Sequence, residues 1–182
     1  NIYWLSEKLR AKKIAYAASG HRTDMDMFKA NQPAIHKLLN SYSLIGVRDR
    51  ITHDMVREAR LDDHIPVARV PDPAFLHELV FDSESTKRKL ENHGVDLSRP
   101  IVGFIFHGNE ALAEALAKQY HAQGYQIISL SMYNAWADFN LAHVLDPHEW
   151  ANTFALMSFC VTDRFHGTIM CLKAKIPFLS IE

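Results

Sequence analysis

Cysteine is scarce in this sequence: two in 182 residues, Cys160 and Cys171. One falls in an apolar strand-like run and the other in a helical pattern. Neither has metal-ligand spacing, so both read as small buried hydrophobes in a reducing compartment. An excess of either charge is also missing. Twenty Lys and Arg stand against 21 Asp and Glu, a formal net charge of -1, which argues against wholesale binding to nucleic acid or a membrane surface. Basic residues are scattered, without the aromatic interleaving of a nucleic-acid surface. No apolar run is long enough to cross a bilayer, and the amphipathic start, Asn1 to Lys8, lacks the architecture of a signal peptide. No internal repeat or low-complexity tract is present. Nor is there a GxGxxG after a strand, a Walker sequence, an HExxH or a Gly-x-Ser-x-Gly. Asp24-Met-Asp26 has the spacing of a nucleotide-sugar metal motif, but its loop-like surroundings predict solvated carboxylates.

What remains is an ordinary globular composition, 48% apolar and 23% charged, arranged as alternating strand and helix patterns. Lys13 to Ser19 reads as a buried strand closed by Gly20. A helix with Pro33 at its start runs to Tyr42, then a strand from Ser43 to Arg48, a helix from Asp49 to Leu61, and a short strand from Val67 to Val70. A charged helix spans Asp82 to Asn92, and a turn-rich connection runs to Pro100. Strands are then predicted at Ile101–Phe106, Gln126–Leu130, Phe159–Thr162 and Pro177–Ile181. Helices separate them at Ala111–Gln123, His148–Phe159 and from Arg164 onward. Strands alternating with helices imply parallel βαβ units. The fold class is α/β, with two Rossmann-like parallel-sheet halves joined near residues 76–99. Residues 1–82 form a partial N-terminal Rossmann-like domain, and 83–182 a C-terminal one. Two such halves facing each other place a ligand cleft at the carboxyl ends of their strands. The start at Asn1 and the stop at Glu182 lead us to expect a fragment of a longer protein.

The strongest motif is Asp163-Arg-Phe-His-Gly-Thr168, which opens a helix directly after a strand. A helix N-terminus presents free N–H groups and partial positive charge, and so favours an anion. Arg164 adds a planar fork matched to carboxylate or phosphate, and His166 can move a proton near neutral pH. Gly167 lets a ligand approach the backbone closely. Phe165, Ile169 and Leu172 recur with helical spacing and are expected to face the sheet. Gly46-Val-Arg48-Asp49 ends a strand of the first half, where Arg48 is either a second cationic clamp or the partner of Asp49 or Asp54. Val70-Pro71-Asp72-Pro73 is a rigid turn that aims one carboxylate, or caps itself with it. His107-Gly108-Asn109 and Ser19-Gly20 close strands in the two halves, each as a phosphate or sugar contact or as a plain loop.

Taken together, these residues resemble the polysaccharide pyruvyl transferase family. Its members combine a strand ending in a "VRD"-type sequence, a "DP" turn before the interdomain connection and an "RFHG" turn late in the second domain. Here these are Gly46-Val-Arg-Asp49, Asp72-Pro73-Ala-Phe75 and Asp163-Arg-Phe-His-Gly-Thr168, in the same order. The stretch from Lys173 to Ile181 also resembles the family's sequence after that turn. The resemblance covers most of residues 13–182. It implies a GT-B-like fold and transfer of a pyruvyl group from phosphoenolpyruvate to sugar hydroxyls of a polysaccharide or its precursor, giving a ketal. It also implies that Arg164 and His166 meet phosphoenolpyruvate, with Arg48 as a second anion contact. Ser19, His107, Gly167 and Thr168 complete the expected binding set.

The chemistry suits those residue types. Phosphoenolpyruvate carries a carboxylate and a phosphate, matched by two arginines and a helix N-terminus. Ketal formation needs a proton on the methylene carbon, which protonated His166 would supply, a contribution of typically ~10²–10⁴-fold. Asp72, His107 and Asp163 are the candidate bases toward the hydroxyl, and the sequence does not rank them. No cofactor or metal is expected. The expected partners are phosphoenolpyruvate and a sugar acceptor, free or lipid-linked, in the cytoplasm or peripheral to the inner membrane face. Two other readings stay open. One is a GT-B-like glycosyltransferase using a nucleotide-sugar, with Glu182 on its ribose. The other is a non-catalytic domain that kept the fold.

Overall fold

Helical crossovers return the chain between its apolar runs, so the strands pair in parallel. The computed structural model describes residues 6, 8–20, 23–59, 64–108 and 110–181, which divide into two units, 1–73 and 74–182.

In the first unit, β1 (Ile14–Ala18), β2 (Leu44–Val47) and β3 (Val67–Arg69) form a parallel sheet in that order. Helices α1 (Met25–Ala30), α2 (Gln32–Leu39) and α3 (Arg50–Ala59) lie between them in the chain. The Asp24–Asp26 segment is therefore not a loop. Asp24 accepts from the N–H groups of Asp26 and Met27 and so starts α1 as its N-cap. Helix α3 buries Thr52, Met55, Val56 and Ala59, one stripe at helical spacing. That stripe packs with Leu39, Ile45, Val47 and Ile65 into this unit's own core. Strand β1 is irregular between Ala15 and Ala18, where Ala17 takes φ 55°.

The second unit contains α4 (Glu84–Asn92), β4 (Ile101–Ile105), α5 (Glu110–Ala122), β5 (Gln126–Ser129) and β6 (Phe139–Asn140). It continues with α6 (Pro147–Thr153), β7 (Phe159–Thr162), α7 (Phe165–Ala174) and β8 (Phe178–Ser180). All five strands are parallel, in the order β6-β5-β4-β7-β8. Every residue of the central β4, Ile-Val-Gly-Phe-Ile, is buried, as befits a strand covered on both faces. On one face Ile105, Ile128, Phe154 and Cys171 share a core with Leu90. On the other, Val102, Phe104, Ile127 and Val161 pack with Ala113 and Ala117 of α5. Full burial of each large side chain stabilises by about 1.5–3 kcal/mol. After β4 the chain builds outward to β5 and β6, then crosses back to β7 and β8. The order of strands thus reverses between β4 and β7, and a ligand crevice is expected at their carboxyl ends.

Several details depart from the sequence expectation. The division falls between Pro73 and Ala74 rather than at 82/83, because residues 74–80 pack on the second unit. Ala74 and Leu79 join its core, and the Val80 N–H donates to Asn152 Oδ1 at 2.9 Å. The helix expected over His148–Phe159 stops at Thr153, tightens into a 3₁₀ turn at Phe154–Leu156 and leaves Ser158 outside. In α7, Ile169 faces inward as predicted, but Phe165 and Leu172 are 53% and 56% exposed. The buried stripe is instead Gly167, Met170, Cys171 and Ala174, whose two smallest residues let the helix lie close on the sheet. Leu61, the predicted end of α3, lies outside the described residues.

Candidate functional site

Two strand ends, β4 and β7, are tied together by the polar residues just beyond them. Thr162 is fully buried, and its hydroxyl donates to Ile105 O at 3.1 Å while accepting from the Arg164 N–H at 3.0 Å. The Asp163 carboxylate turns to the loop after β4. It accepts from the His107 N–H at 3.0 Å and from the Gly108 N–H at 2.6 Å. Both glycines are there because side chains come close. A Cβ on Gly108 would stand 2.9 Å from Asp163 Oδ2, and one on Gly167 only 2.2 Å from Thr162 Oγ1. The expectation that Gly167 clears space for a ligand is thus corrected in part. The space a side chain would need is held by Thr162, although Gly167 also lines the cavity.

That cavity has a volume of about 590 Å³ and opens at the carboxyl ends of β4, β5 and β7. It brings together His107, Arg164, His166 and Gly167, four of the residues singled out from the sequence. No side chain caps α7, so the positive end of that helix is open to an anion. Arg164 Nε lies 3.0 Å from Asp163 Oδ1, outside hydrogen-bond geometry, so this buried N–H has no bonded partner. His166 is exposed, its ring edge-on to Phe165 with centroids 5.5 Å apart. The arrangement offers anion binding beside an imidazole that can carry a proton. Among the described residues no group of three His, Cys, Asp or Glu is placed to hold a metal ion, so the cavity's several histidines do not converge as ligands. Cys160 and Cys171 are free and buried. A hydrogen bond between the two thiols, and burial with it, push the Cys160 thiol far above its usual range and keep it protonated.

The remaining candidates are placed differently. Asp163 holds the β4 loop amides, a positioning role. Thr168 is not on the cavity wall; its hydroxyl lies 3.4 Å from Arg164 O and 3.3 Å from Ser180 Oγ. In the first unit, Arg48 Nη1 bonds Asp72 Oδ2 at 2.5 Å. Asp72 is only 4% exposed while Arg48 is 31% exposed. The buried carboxylate therefore steadies the guanidinium, a geometry that suits positioning better than service as a base. The ion pair weighed for Arg48 from sequence thus forms with the Asp72 turn. Asp49 turns to Thr52, accepting from its N–H at 2.7 Å, and Asp54 lies 3.6 Å from Arg50. Ser19 comes directly after β1 and is exposed. Asn109 and Glu182 lie outside the described residues.

Sequence reasoning missed three wall residues: His77, His148 and Trp150. His77 sits in the connection after the Asp72-Pro73 turn, where no periodicity marks it. A signal did exist for the other two. Asp146-Pro-His-Glu149 is a capping box with Pro in the first turn, and it sets His148 and Trp150 at the start of α6.

A family model described as polysaccharide pyruvyl transferase matches residues 2–182. The chain belongs to the polysaccharide pyruvyl transferase family. Its Arg164-Phe-His-Gly167 turn supplies Arg164, His166 and Gly167 to the cavity wall. Among solved structures, the chain is similar to a variant of the wall teichoic acid polymerase TagF, at 13% identity and a TM-score of 0.49. That likeness covers 92% of this chain and 46% of the other, so the chain spans about half the polymerase's length. No curated protein matches.

Proposed function

We propose that the chain carries the site for transfer of a pyruvyl group from phosphoenolpyruvate to sugar hydroxyls of a polysaccharide or its precursor. The single observation that supports this most is the uncapped N-terminus of α7 with Arg164 and His166 on one cavity wall. Phosphoenolpyruvate is small and multiply anionic. The helix terminus and the Arg164 fork answer its charge. His166, protonated, gives its proton to the methylene carbon, which becomes a methyl group. The adjacent carbon becomes electrophilic, and a sugar hydroxyl adds to it, losing its proton to a base. A second hydroxyl then replaces the phosphate, which departs with its electron pair, and gives its proton to the now neutral His166 as the cyclic ketal closes. His107, exposed on the same wall, is the base we favour over Asp72 and Asp163, whose carboxylates are already engaged. The acceptor is expected at or near the cytoplasmic side of a membrane. Among the described residues no helix is long and apolar enough to cross one.

Titration of the protein with phosphoenolpyruvate and, separately, with UDP-sugars tests the donor. Phosphoenolpyruvate should raise the melting temperature and UDP-sugars should not; the reverse outcome would favour a nucleotide-sugar transferase. Arg164→Ala should weaken phosphoenolpyruvate binding at least tenfold. His166→Ala should leave binding within a few-fold but lower turnover by ~10²–10⁴. Turnover unchanged in both variants would leave the site without a catalytic role.

A further inference from the structure

The cavity is larger than its anion site requires. Phosphoenolpyruvate has ten non-hydrogen atoms, and even at the ~30 Å³ a water occupies in the liquid these fill only about half of the 590 Å³. The remaining wall differs in chemistry. It is made by Ile105, Leu130, Trp150 and Met170, with His148 and His77 at its polar edge. Arg164 is the one permanent charge among the described lining residues, so that half is not built for a second polyanion such as a nucleotide diphosphate. Apolar and aromatic surface with a few directed polar groups suits a neutral ring bearing hydroxyls.

The polar groups on this half can be sorted by what they already bond. Trp150 Nε1 donates to Leu130 O at 2.9 Å. The Ser131 hydroxyl accepts from the Phe106 N–H and donates to Phe106 O, both at 2.9 Å. His77 Nε2 is the exception: it is buried and has no hydrogen-bond partner. A buried polar atom left unpaired costs about 1–3 kcal/mol, so an imidazole nitrogen held that way in a cavity wall points to a ligand that completes it. The exposed ring of His148 packs against the His77 ring at a tilt, with centroids 5.3 Å apart. Exposed side chains change rotamer in picoseconds to nanoseconds, which gives a hydroxyl a way in.

We propose that the His77 half of the cavity is a pyranose subsite in which His77 Nε2 bonds a sugar hydroxyl once His148 turns aside. Calling that sugar the acceptor rests on the pyruvyl-transfer reading; the existence of the subsite does not. The subsite sets which ring is admitted, while Arg164 and the α7 terminus hold the anion.

Two variants of the full chain separate a binding role from a packing one. His77→Phe keeps a ring without nitrogens, and His77→Gln keeps a polar group near the position of Nε2. Binding of methyl glucoside, galactoside, mannoside and their 2-acetamido forms is monitored by saturation-transfer NMR, with phosphoenolpyruvate titrated separately by calorimetry. We expect at least one glycoside to bind the wild-type chain saturably. His77→Phe should weaken it at least tenfold yet melt at or above the wild-type temperature, because an unpaired polar atom is gone. His77→Gln should stay within about threefold of wild type, and phosphoenolpyruvate affinity should stay within twofold in both. The subsite is overturned if no glycoside binds wild type, if His77→Phe binds sugar unchanged, if His77→Gln is as weak as His77→Phe, or if phosphoenolpyruvate affinity falls in step. Failure of the pyruvyl reading looks different: phosphoenolpyruvate does not bind wild type, while the sugar arm still reports on His77.

Discussion

Gly167 and Thr162 meet across the turn from β7 into α7, so the position of the Arg164 and His166 side chains depends on a contact between a glycine and a hydroxyl. A methyl group on Gly167 would stand 2.2 Å from Thr162 Oγ1 and 3.0 Å from its Cβ. Thr162 cannot yield easily, because it is fully buried and bonded to both Ile105 O and the Arg164 N–H. Gly167→Ala should therefore cost about 1–3 kcal/mol by overpacking, read from urea unfolding, and should weaken phosphoenolpyruvate binding as α7 shifts. Thr162→Ala would relieve the clash while losing two hydrogen bonds, so the double variant should be less destabilised than the sum of the singles. Lys175 presents the opposite case. It ends α7 with φ 57°, a conformation that costs a side-chain-bearing residue but not glycine. Lys175→Gly should raise stability by about 0.5–1 kcal/mol, and a lower melting temperature would contradict this account. At Arg48, Asp72→Asn removes the carboxylate from a guanidinium that is only 31% exposed. The expected loss is about 1–3 kcal/mol, below that for a fully buried pair because water still reaches Arg48.

Helix α6 brings His148 and Trp150 to the cavity, and its start depends on Asp146. The Asp146 side chain accepts from the N–H groups of His148 and Glu149, while Glu149 reaches back to the Asp146 N–H. Those bonds, the Glu149 one first, hold the Asp146 carboxyl below its ordinary value of 3.8. A depressed carboxyl stabilises the fold only while ionised, so its contribution is complete above about pH 4 and fades as pH falls through the folded value. Asp146→Ala should therefore lower the melting temperature at pH 7, and the gap from wild type should narrow below pH 4; a constant gap would mean that charge plays no part. This element also shows how far the sequence is legible. The buried β4 and the i, i+3, i+4 stripe of α3 are readable from apolar spacing alone, and the RFHG turn from its residue types. The two-residue β6 is too short to carry a period, and α1 is hidden because a cap and a solvated loop use the same Asp. The inward face of α7 escapes apolar spacing for a physical reason. Spacing marks large apolar residues, whereas two of the buried positions of this helix are Gly167 and Ala174, which carry almost no hydrophobic signal. His77 is illegible because its significance lies in an unpaired nitrogen, which only tertiary contacts define.

At the scale of the whole molecule, apolar burial is divided as the chain is. Among the described residues, the core around Phe28, Ile45 and Met55 draws only on the first unit, and those around Phe154 and Phe104 only on the second. Each unit thus has the means to fold by itself. A chain of residues 74–182 should then unfold cooperatively when monitored by circular dichroism, and non-cooperative melting would show that its cores are insufficient. That chain keeps every described residue of the cavity wall, Arg164 and the α7 terminus included. It should therefore bind phosphoenolpyruvate saturably by calorimetry, and Arg164→Ala in that chain should weaken the binding at least tenfold. No binding by the folded 74–182 chain would overturn the placement of the anion at Arg164 and the α7 terminus.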